Sequence, residues 1–120
     1  MPASRPAAVA GSFYPGDPSA LAAEVATYMA AASAAPPRVP KAIIAPHAGY
    51  MYSGPIAGSV YARVAPLAGR IRRVVLAGPA HRVYVAGVAV PAAREFQTPL
   101  GTVKTRIRTA LTRVRRSVRS

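Results

Sequence analysis

The 120-residue chain contains no cysteine and no tryptophan, and it has only three carboxylate side chains. The absence of cysteine excludes disulfides, zinc knuckles, iron–sulfur clusters and thiol nucleophiles. It also means that the redox compartment of the protein cannot be inferred from cysteine usage. The sequence also lacks an uninterrupted apolar run of about 18 residues and the basic-then-apolar order of a secretion signal. We therefore expect a cytoplasmic protein with no membrane segment.

Acidic residues are so scarce that the formal net charge is +13, but the charge is unevenly distributed. Residues 1–103 contain nine basic and three acidic side chains, whereas residues 104–120 contain seven basic side chains and no acidic one. We interpret 1–103 as the N-terminal part of a domain and 104–120 as a basic tail. A basic amphipathic helix that binds lipid or phosphate is an alternative for the tail, but its threonines are weak helix formers and favour a solvated segment.

The hydrophobic pattern of the body predicts alternating strands and helices. Helices are predicted at 19–35, capped by Asp17, and at 55–64, opened by Pro55. Short apolar runs predict buried strands at 41–45, 71–77 and 84–90. The β-α-β order, with about 20 residues of crossover, predicts an α/β fold with parallel neighbouring strands.

The two histidines occupy matching positions in this pattern. His47 and His81 each follow a predicted strand by a proline-containing turn. The carboxyl ends of parallel strands face one crevice, so two neutral imidazoles there could share an iron, copper or zinc ion. The alternative is that both are polar loop residues.

The rest of a metal site is not evident from the sequence. Asp17 is explained as a helix cap, Glu24 lies on a helix and Glu95 has no clear placement, so no third ligand can be assigned. Tyr50 and Tyr52 flank the turn after His47, where either ring could donate a hydrogen bond to a substrate or pack beneath the loop. Ser53 lacks the sequence of a nucleophile elbow, and no dinucleotide or P-loop fingerprint is present.

Four segments of the chain carry a resemblance to a known family: RPAAVAGSFYP at 5–15, IAPHAGYMYSG at 44–54, LAGPAH at 76–81 and TPLG at 98–101. In order and spacing they resemble the Memo family, whose prokaryotic members are called AmmeMemoRadiSam system protein B. The resemblance implies an α/β fold like that of LigB-type class III extradiol dioxygenases, with three layers around a mainly parallel sheet. It also implies a metal pocket in which His47 and His81 are ligands and Tyr52 is the catalytic tyrosine.

The sequence departs from the family pattern in two places. Ala80 stands where the family more often has Ser or Asn. Family members are also roughly twice as long, and the remaining pocket residues, a further metal ligand among them, lie in the half that has no counterpart here. The abrupt change of composition after Val103 leads us to expect that 104–120 is translated out of frame or that the gene is truncated.

These observations lead to one main hypothesis and two alternatives. The main hypothesis is a truncated, dioxygenase-like metal protein that binds iron, copper or zinc weakly and acts on an unidentified small molecule, with its status as an enzyme left open. The first alternative is a non-enzymatic module that binds a ligand or partner, alongside a radical-SAM protein and an AMMECR-type protein. The second is non-specific nucleic-acid binding through the tail. We further expect an exposed apolar face that favours dimerisation.

Overall fold

The computed structural model describes residues 4–33 and 38–104, and these form two compact units. The unit Val9–Leu76 contains both α-helices, and the second unit combines residues 4–8 with 77–104 and contains the β-sheet. The predicted α/β class is therefore confirmed. The basic tail predicted at 104–120 lies outside the described residues from position 105 onward.

The first helix, α1, spans Pro18–Ala30 and begins where the sequence predicts. Asp17 is the N-cap, and its Oδ2 accepts a hydrogen bond of 2.9 Å from the backbone N–H of Ala20. This bond satisfies one of the amide groups that the first helical turn leaves unpaired. The prediction that the helix continues to 35 was too long.

The second helix, α2, spans Tyr50–Tyr61 and begins five residues before the predicted start at Pro55, which lies inside the helix. The N-cap is Gly49, which has no side chain to cap the helix. Instead, the backbone N–H of Tyr50 donates a 2.7 Å hydrogen bond to the carbonyl oxygen of Phe13, a residue distant in sequence. A cap supplied by a separate turn leaves no local sequence signal, which explains the wrong boundary.

The two helices pack closely because α2 presents two glycines to α1. A Cβ atom built on Gly54 would lie 2.5 Å from Cε2 of Tyr28, and one built on Gly58 would lie 2.7 Å from the Tyr28 carbonyl oxygen. Both distances are too short for a real side chain. Among the described residues, Leu21 on α1 is the one hydrophobic side chain that is buried, with an exposed fraction of 3%.

The sheet has three short strands in the order β1-β2-β3. β1 (Ser4–Arg5) pairs in parallel with β2 (Glu95–Thr98), which pairs antiparallel with β3 (Gly101–Lys104). The TPLG segment is the turn of this hairpin: Thr98 Oγ1 donates to the Gly101 carbonyl oxygen at 2.9 Å and accepts from the Leu100 N–H at 3.1 Å. The sheet is thus mixed rather than mainly parallel.

The strands predicted at 41–45, 71–77 and 84–90 are absent from the described structure, and this corrects the sequence analysis. Most of their apolar side chains are exposed, with Ile44 at 94%, Val75 at 93% and Tyr84 at 93%. Apolar, β-branched composition shows only that a segment suits burial, whereas a strand also requires a hydrogen-bonded neighbour. No segment of the described chain supplies that neighbour.

Across residues 4–33 and 38–104, neither helix is long and apolar enough to cross a lipid bilayer.

Candidate functional site

His47 lies in the loop that leads into α2, and its side chain is exposed. Ser53, one turn into the helix, anchors this loop: its Oγ accepts a 3.0 Å hydrogen bond from the backbone N–H of Ala48. Ser53 is only 6% exposed, so this bond satisfies a buried hydroxyl as well as a loop amide. The burial and the bond give Ser53 a structural role, in keeping with its rejection as a nucleophile.

Three tyrosine rings from separate segments pack together beside this loop. The Tyr50 ring at the start of α2 is tilted against Tyr14, with centroids 5.6 Å apart, and meets Tyr28 of α1 edge-to-face at 6.1 Å. Both arrangements are favourable for aromatic pairs. The Tyr28 hydroxyl donates to Glu24 Oε1 at 2.9 Å and lies 3.4 Å from the Tyr50 carbonyl oxygen.

The surroundings of two of these phenols hold them in the neutral form. The hydrogen bond to Glu24 is the main cause that raises the pKa of Tyr28 above its ordinary value. Burial is the main cause that raises the pKa of Tyr50, and the neighbouring Tyr14 adds to it. Both phenols therefore remain hydrogen-bond donors well beyond neutral pH.

A cavity of about 340 Å³ opens beside the three rings, and we call it the tyrosine cavity. Tyr14, Tyr28, Tyr50 and Tyr61 contribute to its wall, and His47 also lines it. The remaining lining residues are mostly small or apolar: Val9, Phe13, Val25, Met29, Pro46, Ala48, Ser53, Gly54, Ala57 and Gly58. An aromatic cavity with one imidazole in its wall is the arrangement expected of a small-molecule site.

Tyr52, the residue expected to act in catalysis, lies in the first turn of α2 and is 76% exposed. Its backbone N–H donates to the Gly49 carbonyl oxygen at 2.9 Å, which is an ordinary helical bond. Tyr52 is not among the residues that line the tyrosine cavity. The Tyr50 ring therefore faces the tyrosine cavity, whereas the Tyr52 ring faces solvent.

The two candidate metal ligands belong to different units: His47 to Val9–Leu76 and His81 to the unit with the sheet. His81 is exposed and lies in an irregular segment. Of the three carboxylates, Asp17 caps α1, Glu24 accepts from Tyr28 and Glu95 begins β2. Within the described residues, no group of three or more histidine and carboxylate side chains forms a cluster suited to a metal ion.

Sequence reasoning missed the participation of Tyr14 and Tyr28 in this site. Tyr14 lies in the GSFYP segment, and Tyr28 lies on a helix, 19 residues before His47. The one available signal was the concentration of tyrosine in the N-terminal half, with four of six at positions 14 to 52. Nothing in the spacing of these residues shows that their rings meet.

The chain belongs to the Memo family. Residues 5–117 match the family described as "Memo-like protein", and this match covers all four segments singled out in the sequence and part of the basic tail. The class of protein expected from those segments is therefore confirmed.

Curated relatives from eukaryotes and archaea agree with this assignment. The chain is 36% identical to the MEMO1 family protein MHO1 of Saccharomyces cerevisiae over 102 residues, which covers 83% of this chain and 30% of the relative. It is 41% identical to Protein MEMO1 of Danio rerio, with coverage of 80% and 31%. A MEMO1 family protein of Methanopyrus kandleri is 35% identical, with coverage of 83% and 38%. The chain thus spans about a third of the length of these relatives, and the expectation that family members are only about twice as long as this chain was wrong for them.

Proposed function

We propose that this chain is the N-terminal part of a Memo-type metal-binding protein in which His47 and His81 are two ligands of one divalent ion. Membership of the Memo family, together with two histidines inside the matched segments, is the observation that carries this proposal. The intact domain is proposed to have the three-layer, LigB-like arrangement around a mainly parallel sheet. Its proposed location is the cytoplasm.

The donor chemistry suits such an ion only in part. Neutral imidazole is a good ligand for iron, copper and zinc, and iron or copper is the proposed metal. Two imidazoles leave most coordination positions to water, and the described residues contain no cluster that adds a third donor. We therefore expect weak binding by this chain. When bound, the metal would supply Lewis-acid or redox chemistry.

The protein's own residues would shape the site around the ion. Ser53 holds the loop that bears His47 through its bond to Ala48. Tyr52, exposed on the first turn of α2, would donate a hydrogen bond to the substrate, as expected for a catalytic tyrosine. A dioxygenase-like reaction on a small molecule, with radical-SAM and AMMECR-type proteins as partners, is the function proposed for the intact family domain.

Paramagnetic broadening by Cu²⁺ tests the shared site directly, because the chain has only two histidines. Imidazole NMR signals are followed as Cu²⁺ is added to the full chain and to the variants His47→Asn and His81→Asn. We expect both signals to broaden along one binding curve, and each variant to lose the broadening of the remaining histidine. Tyr52→Phe is the matched control and should bind Cu²⁺ as the parent does.

Two separate binding curves, or a remaining histidine that still broadens in the variants, would show that the histidines do not share an ion. Oxygen consumption by the iron- or copper-loaded chain, with small phenols offered as substrate, separates an enzyme from the alternative of a non-enzymatic binding module. The tyrosine cavity is the observation that favours a binding module as the second candidate.

A further inference from the structure

We propose that the tyrosine cavity binds a small, uncharged aromatic molecule, one or two fused rings in size. This inference deepens the proposed function by naming a ligand class, and it rests on that function only in that His47 lines the cavity. The binding itself requires neither His81 nor a metal ion.

The dimensions of the cavity limit the size of the ligand. Its volume of about 340 Å³ is at the lower end of the range of roughly 300–1,000 Å³ that is usual for ligand pockets. The backbone of Tyr28 lies directly against Gly58, so the two helices already pack as closely as their main chains allow. A ligand of one or two rings fits this space, and a larger one would extend from the open side of the cavity into solvent.

The residues that line the cavity favour an uncharged ligand. None of the described residues that line the cavity is Lys, Arg, Asp or Glu. Glu24 does not line the cavity, and its carboxylate accepts a hydrogen bond from the Tyr28 hydroxyl. Transfer of a charged ligand into such surroundings would be costly without a partner of opposite charge. The ligand is therefore neutral.

The shapes of the walls favour an aromatic ligand over an aliphatic one. The Tyr14, Tyr28 and Tyr50 rings meet at tilted and edge-to-face angles, so they present both ring faces and ring edges. An aromatic guest can complete such a cluster by stacking and edge contacts, which a saturated ring cannot make. His47 also lines the cavity and adds a heteroaromatic ring to its wall.

Indole is a suitable probe, because the chain contains no tryptophan and indole emission can be excited where tyrosine does not absorb. Indole is titrated against the full, metal-free chain, and cyclohexanol is then tested as a competitor that is saturated and uncharged. We expect a saturable blue shift with one indole per chain, a Kd on the order of 1 mM, and competition by phenol about two- to tenfold stronger than by cyclohexanol.

Substitutions that fill the cavity locate the binding. Ala57 lines the cavity, whereas Ala26 is exposed on α1 and does not line it. Ala57→Phe should weaken indole binding by about tenfold or more, and the matched control Ala26→Phe should leave it unchanged. If Ala57→Phe fails to fold, Ala57→Leu fills part of the same space and should weaken binding in the same direction.

The inference is overturned if indole shows no saturable shift, if cyclohexanol competes as well as phenol, or if the Ala57 variant that folds binds indole as the parent does. If the chain fails the Cu²⁺ test but His81→Asn still binds indole, the cavity proposal is supported and the metal site is rejected. If both histidines share a Cu²⁺ ion but the chain does not bind indole, the metal site is supported and the cavity proposal is rejected. The two proposals therefore fail separately.

Discussion

Tyr28 and Gly58 are in backbone contact: a Cβ atom on Gly58 would lie 2.7 Å from the Tyr28 carbonyl oxygen and 2.8 Å from its carbonyl carbon. The neighbour is main chain rather than the end of a flexible side chain, so it cannot move without shifting α1. At Gly54, by contrast, the atoms that a Cβ would meet belong to the Tyr28 ring. The two glycines therefore differ in how strictly they exclude a side chain.

We predict that Gly58→Ala destabilises the fold by about 1–3 kcal/mol, the usual cost of overpacking. Gly54→Ala should cost less, because its Cβ would meet the Tyr28 ring, which can rotate, whereas the Cβ at Gly58 would meet the Tyr28 main chain. Gly69→Ala is the matched control, because a Cβ there meets nothing within 4 Å. Urea unfolding followed by circular dichroism measures all three. A loss at Gly69 equal to that at Gly58 would show that helix packing is not the cause.

Ser53→Ala should destabilise the protein by about 1 kcal/mol or somewhat more, because it removes the acceptor of a part-buried hydrogen bond from the Ala48 amide. Ser59→Ala provides the comparison: it removes a hydroxyl that donates to the Ile56 carbonyl one turn earlier, and it should cost less than about 1 kcal/mol. Thermal unfolding gives both values. Equal stabilities for the two variants would mean that Ser53 does not anchor the loop that bears His47.

The raised pKa values of Tyr28 and Tyr50 predict a loss of stability in alkali. In the folded chain both phenols keep their protons above the ordinary pKa of 10.0, whereas the unfolded chain releases them there. The stability that results is fully present below this pH, and it is lost as the pH rises through the folded-state pKa values. The direction follows from the proton number, since the folded state binds more protons in that range.

Tyrosinate absorbance in a pH titration checks this prediction. Tyr50→Phe and Tyr28→Phe should each remove part of the component that titrates late. Titration of all six tyrosines as a single group, with unchanged curves in both variants, would contradict it.

Removal of residues 105–120, which leaves β3 whole, should change the free energy of unfolding little. Residues 105–120 carry six basic side chains and no carboxylate that would offset their repulsion. Thermal unfolding of the shortened and full chains makes the comparison. A loss of more than about 2 kcal/mol would show that Ile107, Leu111 and Val114 are buried side chains, and the expectation of an out-of-frame tail would then be wrong.

The sequence was sufficient for features that depend on local chemistry. The Asp17-Pro18 pair located the start of α1, because a carboxylate cap and a first-turn proline act on adjacent residues. The four segments were sufficient for the family, because their residues and spacing can be compared directly with those of relatives. The placement of His47 in a loop after residues 41–45 was also correct, although the strand before it was not formed.

Tertiary structure alone decided the features that depend on distant partners. The Phe13 carbonyl oxygen sets the start of α2. The contact of Tyr28 with two glycines sets how closely the two helices approach each other. Tyrosine rings from three segments form the wall of the tyrosine cavity. The strand predictions were wrong for the same reason, because a strand forms through hydrogen bonds to a neighbouring strand, and a segment's own sequence does not specify that neighbour. Local propensity acts over a few residues, whereas hydrogen bonds and packing join residues that only the folded chain brings together.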